Sequence, residues 1–156
     1  MERVWRLYLD TSVFGGVFDV TEGFDVDSRR VIDAFLNGRA ILLYSITSET
    51  ELSKAPDHVR TVFDSIPSEY KVLLPDSDNV AELSQAYLDS GIVGPRWLDD
   101  TLHIAFATVA GADAIISWNF KHIVRLDRIK EYNRVNLEKG YDVLTILSPT
   151  DVNLDA

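Results

Sequence analysis

Four short stretches of the chain carry side chains that could do chemistry together. Asp10 ends an apolar run and is followed by the hydroxyls of Thr11 and Ser12. Glu49 and Glu51 follow a second apolar run, Asp99 and Asp100 open an alanine-rich stretch, and Asn119 ends a third apolar run. Carboxylates brought together from separate segments repel one another strongly unless a cation sits between them. That pattern points to a hard divalent ion such as Mg2+ or Mn2+. The chain has no cysteine, which removes zinc–thiolate sites, disulfides and thiol nucleophiles together. His103 and His122 are isolated, and no His–Glu or His–His pair has the spacing of a zinc site.

Each residue also has a plainer reading. Asp10, Thr11 and Ser12 could start a turn or cap a helix. Ser48-Glu49-Thr50-Glu51 fits a capping box in which Glu51 reaches back to a backbone N–H. Asp99 and Asp100 suit the positive end of a helix dipole, and Asn119 suits a turn. His103, on an apolar helix, reads as a packed, hydrogen-bonded histidine, while Trp118 and Phe120 read as core. The weight therefore lies on joint placement. Glu49 and Glu51 point about 200° apart on a helix, so only one can face a common site. Asp113 precedes Asn119 by a strand length of roughly 20 Å, which puts it at the opposite edge of a sheet.

The elements that must position these groups follow from periodicity. Val4, Leu7, Tyr8 and Leu9 read as a strand buried on both faces. Gly15-Gly16 and the stretch to Asp27 read as a loop, followed by a helix over about 27–37 that Gly38 ends. Strands are expected at 40–44, 70–74, 114–119 and 143–147. A short helix opens at Ser45. Another begins at Pro56, with Val59, Val62, Phe63 and Ile66 at i, i+3, i+4 and i+7. Further helices are capped by Asp76 or Ser77, open at Trp97, and run over about 123–139. Strands alternating with helices mean βα units and a mostly parallel sheet with helices on both faces. In such sheets ligands bind at the C-terminal edge of the strands, where Asp10 and Asn119 fall. The reading is one α/β domain over 1–150 and a short acidic tail over 151–156.

Bulk composition narrows the function. No apolar run approaches the length of a membrane span, and Met1-Glu2-Arg3 does not lead into a signal-peptide core, so a cytoplasmic protein is expected. The net charge of -10 argues against broad, nonspecific adhesion to nucleic acid, which needs a basic face. It leaves room for an enzyme whose bound cation supplies positive charge at a reacting phosphate.

Taken in order, Leu9-Asp10-Thr11-Ser12, Ser45 through Leu52, Asp100-Thr101-Leu102-His103-Ile104-Ala105 and Ser117-Trp118-Asn119-Phe120 resemble the motifs of PIN domains, of the small VapC-like toxin type. The resemblance covers nearly the whole chain. It implies a three-layer α/β/α sandwich on a five-stranded, mostly parallel sheet, an acidic Mg2+ or Mn2+ site and endoribonuclease activity. Asp10 matches the first acid, Glu51 the second and Asp100 the third, so the resemblance selects Glu51 over Glu49 and Asp100 over Asp99. Asn119 stands at the fourth acidic position. Its amide oxygen could ligate the cation or hold its water but brings no charge, which implies weaker metal affinity.

On this reading Asp10, Glu51 and Asp100 hold the cation with Asn119 assisting, and Thr11 and Ser12 orient Asp10, its water or a phosphate. Lys121, His122 and Arg125 contact the RNA backbone. The family also implies a homodimer and a cognate antitoxin that blocks the acids with a basic side chain. Asn119 favours an alternative, a catalytically weak PIN domain serving as an RNA- or protein-binding module. A phosphoacceptor domain of the receiver type fits poorly, because the order of acids and lysine along the strands is absent.

Overall fold

The central strand, β1 (Trp5–Leu9), buries both of its faces because its side chains alternate between two cores. Leu7 and Leu9 point into one core and Tyr8 into the other. The computed structural model describes residues 3–154; Met1 and Glu2 of the N-terminal reading and Asp155 and Ala156 of the expected acidic tail lie outside the described residues.

From β1 the chain forms a one-turn helix, α1 (Ser12–Gly16), and then α2 (Asp25–Leu36), before β2 (Ala40–Tyr44) pairs parallel to β1. Helices α3 (Ile46–Ser53) and α4 (Asp57–Ser65) lead to β3 (Lys71–Leu73), parallel to β2. Helices α5 (Asp78–Asp89) and α6 (Leu98–Val109) then carry the chain back to β4 (Ala114–Ile116) on the other side of β1, and α7 (Leu126–Glu138) leads to β5 (Ile146–Leu147). The sheet order is β3-β2-β1-β4-β5, with every pairing parallel.

This is an α/β fold compatible with a three-layer α/β/α sandwich. One core packs Val13, Phe14, Val31, Phe35 and Leu52 of the first helices on Leu7, Leu9, Leu42 and Ile116. The other packs Leu83, Tyr87, Ile104, Phe106, Tyr132 and Val135 on Tyr8, Leu43 and Ile115. The alanines of α6, Ala105 and Ala107, are fully buried; small side chains let this helix lie close to the sheet. Among the described residues no helix is long and apolar enough to cross a membrane.

The winding reverses between β1 and β4. A reversal of this kind opens a crevice at the C-terminal strand ends, because the chains leaving the two strands diverge to opposite faces. Leu9 pairs with Ile116, so Asp10 and Ser117 leave the sheet side by side at that crevice.

Several element bounds differ from the pattern reading. The expected loop from Gly15 begins inside α1, where the chain must pass very near Trp118. A Cβ on Gly16 would lie 2.6 Å from Trp118 Nε1 and against Ser28 Oγ. Trp118 is core as expected, stacked on Phe24 at 4.0 Å, but Phe120 is 49% exposed. β4 stops at Ile116, and α7 starts only at Leu126, because the Asn119 carbonyl accepts the N–H groups of Ile123 and Val124 and closes a turn. β5 keeps only two residues, with Val143 exposed. The segment read as a tail is tied down: Val152 is buried, and the Arg30 guanidinium donates to the carbonyls of Pro149 and Val152, both at 2.6 Å.

Gly16→Ala should therefore cost about 1–3 kcal/mol, the usual range for overpacking a filled site. Denaturant unfolding followed by tryptophan fluorescence measures it, and an unchanged midpoint would show that α1 does not pack against Trp118 as described.

Candidate metal centre

At the crevice lies a pocket of about 430 Å³ whose wall includes Asp10, Thr11, Ser12, Glu51, Asp100 and Asn119. The three acids selected from sequence thus converge, although they come from the end of β1, from α3 and from the first turn of α6. Their neighbours Glu49 and Asp99 are exposed. Asp113, expected at the far edge, is there: its carboxylate accepts from the Arg6 N–H and pairs with Arg3, both at 2.8 Å.

Asp10 is buried, and hydroxyls hold one of its oxygens. Oδ2 accepts from Ser12 Oγ at 2.8 Å and from Ser117 Oγ at 2.7 Å. Those hydroxyls are themselves fixed by backbone donors, Trp118 N–H to Ser12 at 3.1 Å and Asn119 N–H to Ser117 at 2.9 Å. Ser12, expected to orient Asp10, bonds its carboxylate. Ser117 was not singled out, and its position two residues before Asn119 at the end of a strand is the signal for it. Thr11 lines the pocket.

Glu51 is not engaged in capping. The capping box of α3 is formed by Ser45 and Ser48, with Ser45 Oγ accepting from Ser48 N–H at 3.3 Å and Ser48 Oγ accepting from Ser45 N–H at 3.1 Å. The box expected at Ser48–Glu51 is thus displaced by one turn, because Ser45 is the first residue with extended backbone before the helix. That leaves the Glu51 carboxylate for the site.

His103 follows Asp100 by three residues and shares its helix face. It is packed and hydrogen-bonded, as expected, but it also belongs to the acid cluster. Its Nε2 bonds Glu51 Oε1 and lies 3.7 Å from Asp10 Oδ1. One atom each of Asp10, Glu51 and His103 lie within 4.8 Å of one another, a set that could hold a metal ion. The i, i+3 spacing from Asp100 is the sequence signal that could have placed His103 here.

The charges perturb one another. The Asp100 carboxyl is pushed up to about 6, chiefly by burial and then by Asp10 and Glu51, with His103 and a hydrogen bond from Asn119 pulling the other way. Burial opposes charge on His103, but its neighbours outweigh it. The Tyr8 oxygen, the bond to Glu51 and the Asp10 carboxylate hold its pKa well above the usual histidine value.

Asn119 differs from the expected oxygen ligand. Its Oδ1 accepts the N–H groups of Lys121 at 3.2 Å and His122 at 2.9 Å. Two backbone donors occupy the amide oxygen, so the amide nitrogen is the group left for Asp100. Of the cations expected to meet RNA, Lys121 is exposed, its Nζ 5.8 Å from the Trp97 ring centre. Arg125 is exposed and paired with Asp127 at 2.9 Å. His122 departs from that expectation: its ring is buried against Trp97 at 4.1 Å, and neither nitrogen has a hydrogen-bond partner among the described residues. Its pKa is lowered by burial and by Lys121, Arg128 and Arg125. No family model matches the chain, and no curated protein matches it.

The Asp100 shift has a stability consequence of definite sign. A carboxyl whose pKa is raised by folding binds more protons in the native state between about 4 and 6, so stability falls as pH rises through that window. His103 acts in the same direction: its raised pKa contributes stability that is lost as pH rises through the folded value. Asp100→Asn should therefore raise the Tm of the metal-free protein at pH 7.5 by about 2–4 °C, with the gain vanishing near pH 4. A Tm equal to or below wild type at pH 7.5 would show that the acids do not strain the fold.

Proposed function

We propose that the chain is a Mg2+- or Mn2+-dependent endoribonuclease of the PIN-domain, VapC-like toxin type, hydrolysing RNA phosphodiester bonds. The observation that carries this reading is the convergence of Asp10, Glu51 and Asp100 on one pocket at the sheet's switch point. Carboxylate oxygens suit hard cations, and the Asp100 carboxyl, raised to about 6 by burial and then by Asp10 and Glu51, feels the other acids of the pocket. When bound, the divalent ion supplies Lewis acidity toward a phosphoryl oxygen and a water acidic enough to react near neutral pH.

The chain's own groups do the rest. Ser12 and Ser117 hold Asp10 Oδ2, leaving Oδ1 toward Glu51 and His103. Asn119 steadies Asp100 and, through its oxygen, the turn bearing Lys121. Exposed Lys121 and Arg125 are the backbone-phosphate contacts of this reading, and His122 supports Trp97 from within. The strongly acidic chain, at -10, suits an antitoxin that inserts a basic side chain among the acids. A homodimer in the cytoplasm completes the proposal.

One observation favours a second reading, a catalytically weak PIN domain that binds RNA or protein. Asn119 brings neither charge nor a free oxygen to the fourth position.

Incubation of the purified protein with single-stranded RNA separates the two. Cleavage is expected with Mg2+ or Mn2+, to stop with chelator, and to fall on the order of 100-fold in Asp10→Asn through lost electrostatic stabilisation. Equal cleavage by wild type and Asp10→Asn would trace the activity to a contaminant. RNA binding without cation-dependent turnover selects the second reading.

A further inference from the structure

His103 stands close enough to Asp10 and Glu51 for either of two roles: a nitrogen ligand, or a donor that aims an acid. Its hydrogen bonds distinguish them. Nε2 bonds Glu51 Oε1, and an ionised carboxylate can only accept. Nε2 therefore carries the hydrogen and has no lone pair for a cation. The 3.7 Å to Asp10 Oδ1 is too long for a competing hydrogen bond.

The other ring nitrogen is held as firmly. Nδ1 lies 2.6 Å from the Tyr8 hydroxyl, which is also 2.7 Å from Ser45 Oγ and 3.2 Å from Ser48 Oγ. Hydroxyls both give and take. Tyr8 can donate to a bare Nδ1 or accept from a protonated one while the serines adjust, and Nε2–H is kept in both cases. Tyr8 and His103 are each fully buried. The acids Asp10, Glu51 and Asp100 line the pocket, and His103 stands behind them. The same bonds tie the central strand, through Tyr8, to the start of α3 and to α6, the helices that carry Glu51 and Asp100.

We propose that His103 is a positioning residue and not a cation ligand: its Nε2–H holds Glu51 Oε1, the Tyr8 hydroxyl holds its Nδ1, and Glu51 keeps Oε2 for the cation. The proposal rests on the cation centre proposed above but not on RNA as its substrate.

Histidine-ring 15N–1H spectra of the whole chain test it directly, with signals assigned by substituting His58 and His122 singly. The His103 Nε2–H signal is expected in the metal-free protein, slow to exchange, and is expected to survive saturation with Mg2+. Its loss on adding Mg2+ would make His103 a ligand and overturn the proposal. Tyr8→Phe should weaken Mn2+ binding about 10-fold or more, the usual effect of removing an orienting partner, as read by calorimetry. A variant with lower Tm but wild-type Mn2+ affinity would reduce Tyr8 to a packing role and overturn that half. Should Tyr8→Phe not fold, the wild-type spectra decide alone. A wild type that binds neither Mg2+ nor Mn2+ overturns the centre and this role with it, whereas absence of RNA cleavage leaves both measurements standing.

Discussion

Carboxylates held in one pocket repel one another, and much of the surrounding structure counters that repulsion. Burial makes the problem worse, since a charge removed from water interacts more strongly with its neighbours. The fold answers with hydrogen bonds and with the charge that a raised pKa lets His103 carry. Two hydroxyls hold Asp10, and an imidazole holds Glu51. Each of these donors is fixed in turn by a backbone group or by a further hydroxyl. The acids are therefore held in place by the fold itself, the preorganisation that the proposed cation centre requires.

Topology explains why these groups meet at all. Asp10 and Glu51 are on one arm of the winding, and Asp100 is on the helix that brings the chain back across the sheet. The reversal between β1 and β4 sets the end of the central strand beside the turn at Ser117–Asn119. A strand order without that reversal would separate the two ends by a neighbouring strand. Trp118 locks the turn into the core by stacking on Phe24 and donating to Ser28 Oγ at 2.8 Å, and Gly16 leaves room for it. The rim of the site is thus built on a core residue, although it lies outside the regular elements.

The layered α/β architecture was legible in the sequence because buried parallel strands read as apolar runs and the helices between them as stripes. Glu51 and Asp100 were chosen over their neighbours by resemblance, and the structure turns Glu49 and Asp99 outward. What stayed hidden was carried by contacts between distant residues. Ser117 and Tyr8 acquire their roles only when β1, β4 and α6 are brought together; in sequence each is an ordinary strand residue. The pattern runs the strand to Asn119 and starts the helix at about 123 because Trp118, Ile123 and Val124 are apolar, and periodicity does not register a carbonyl that takes two N–H groups. Closeness to Asn119 along the chain makes Lys121, His122 and Arg125 candidates for RNA contact, but cannot show that His122 is buried against Trp97.

Asn119 links the electrostatics to the fold. A carboxylate at this position would add a further negative charge beside Asp100, whose pKa already stands at about 6, and would push it higher still. An amide instead gives its oxygen to the N–H groups of Lys121 and His122 and brings no charge toward Asp100, whose pKa it lowers. A carboxylate could satisfy the turn but only repel Asp100. The amide thus lowers the repulsion among the acids, and by the same step removes one negative charge that would attract a cation. The stability of the metal-free protein and the cation affinity of the proposed centre are pulled in opposite directions by one side chain, and an amide there favours stability.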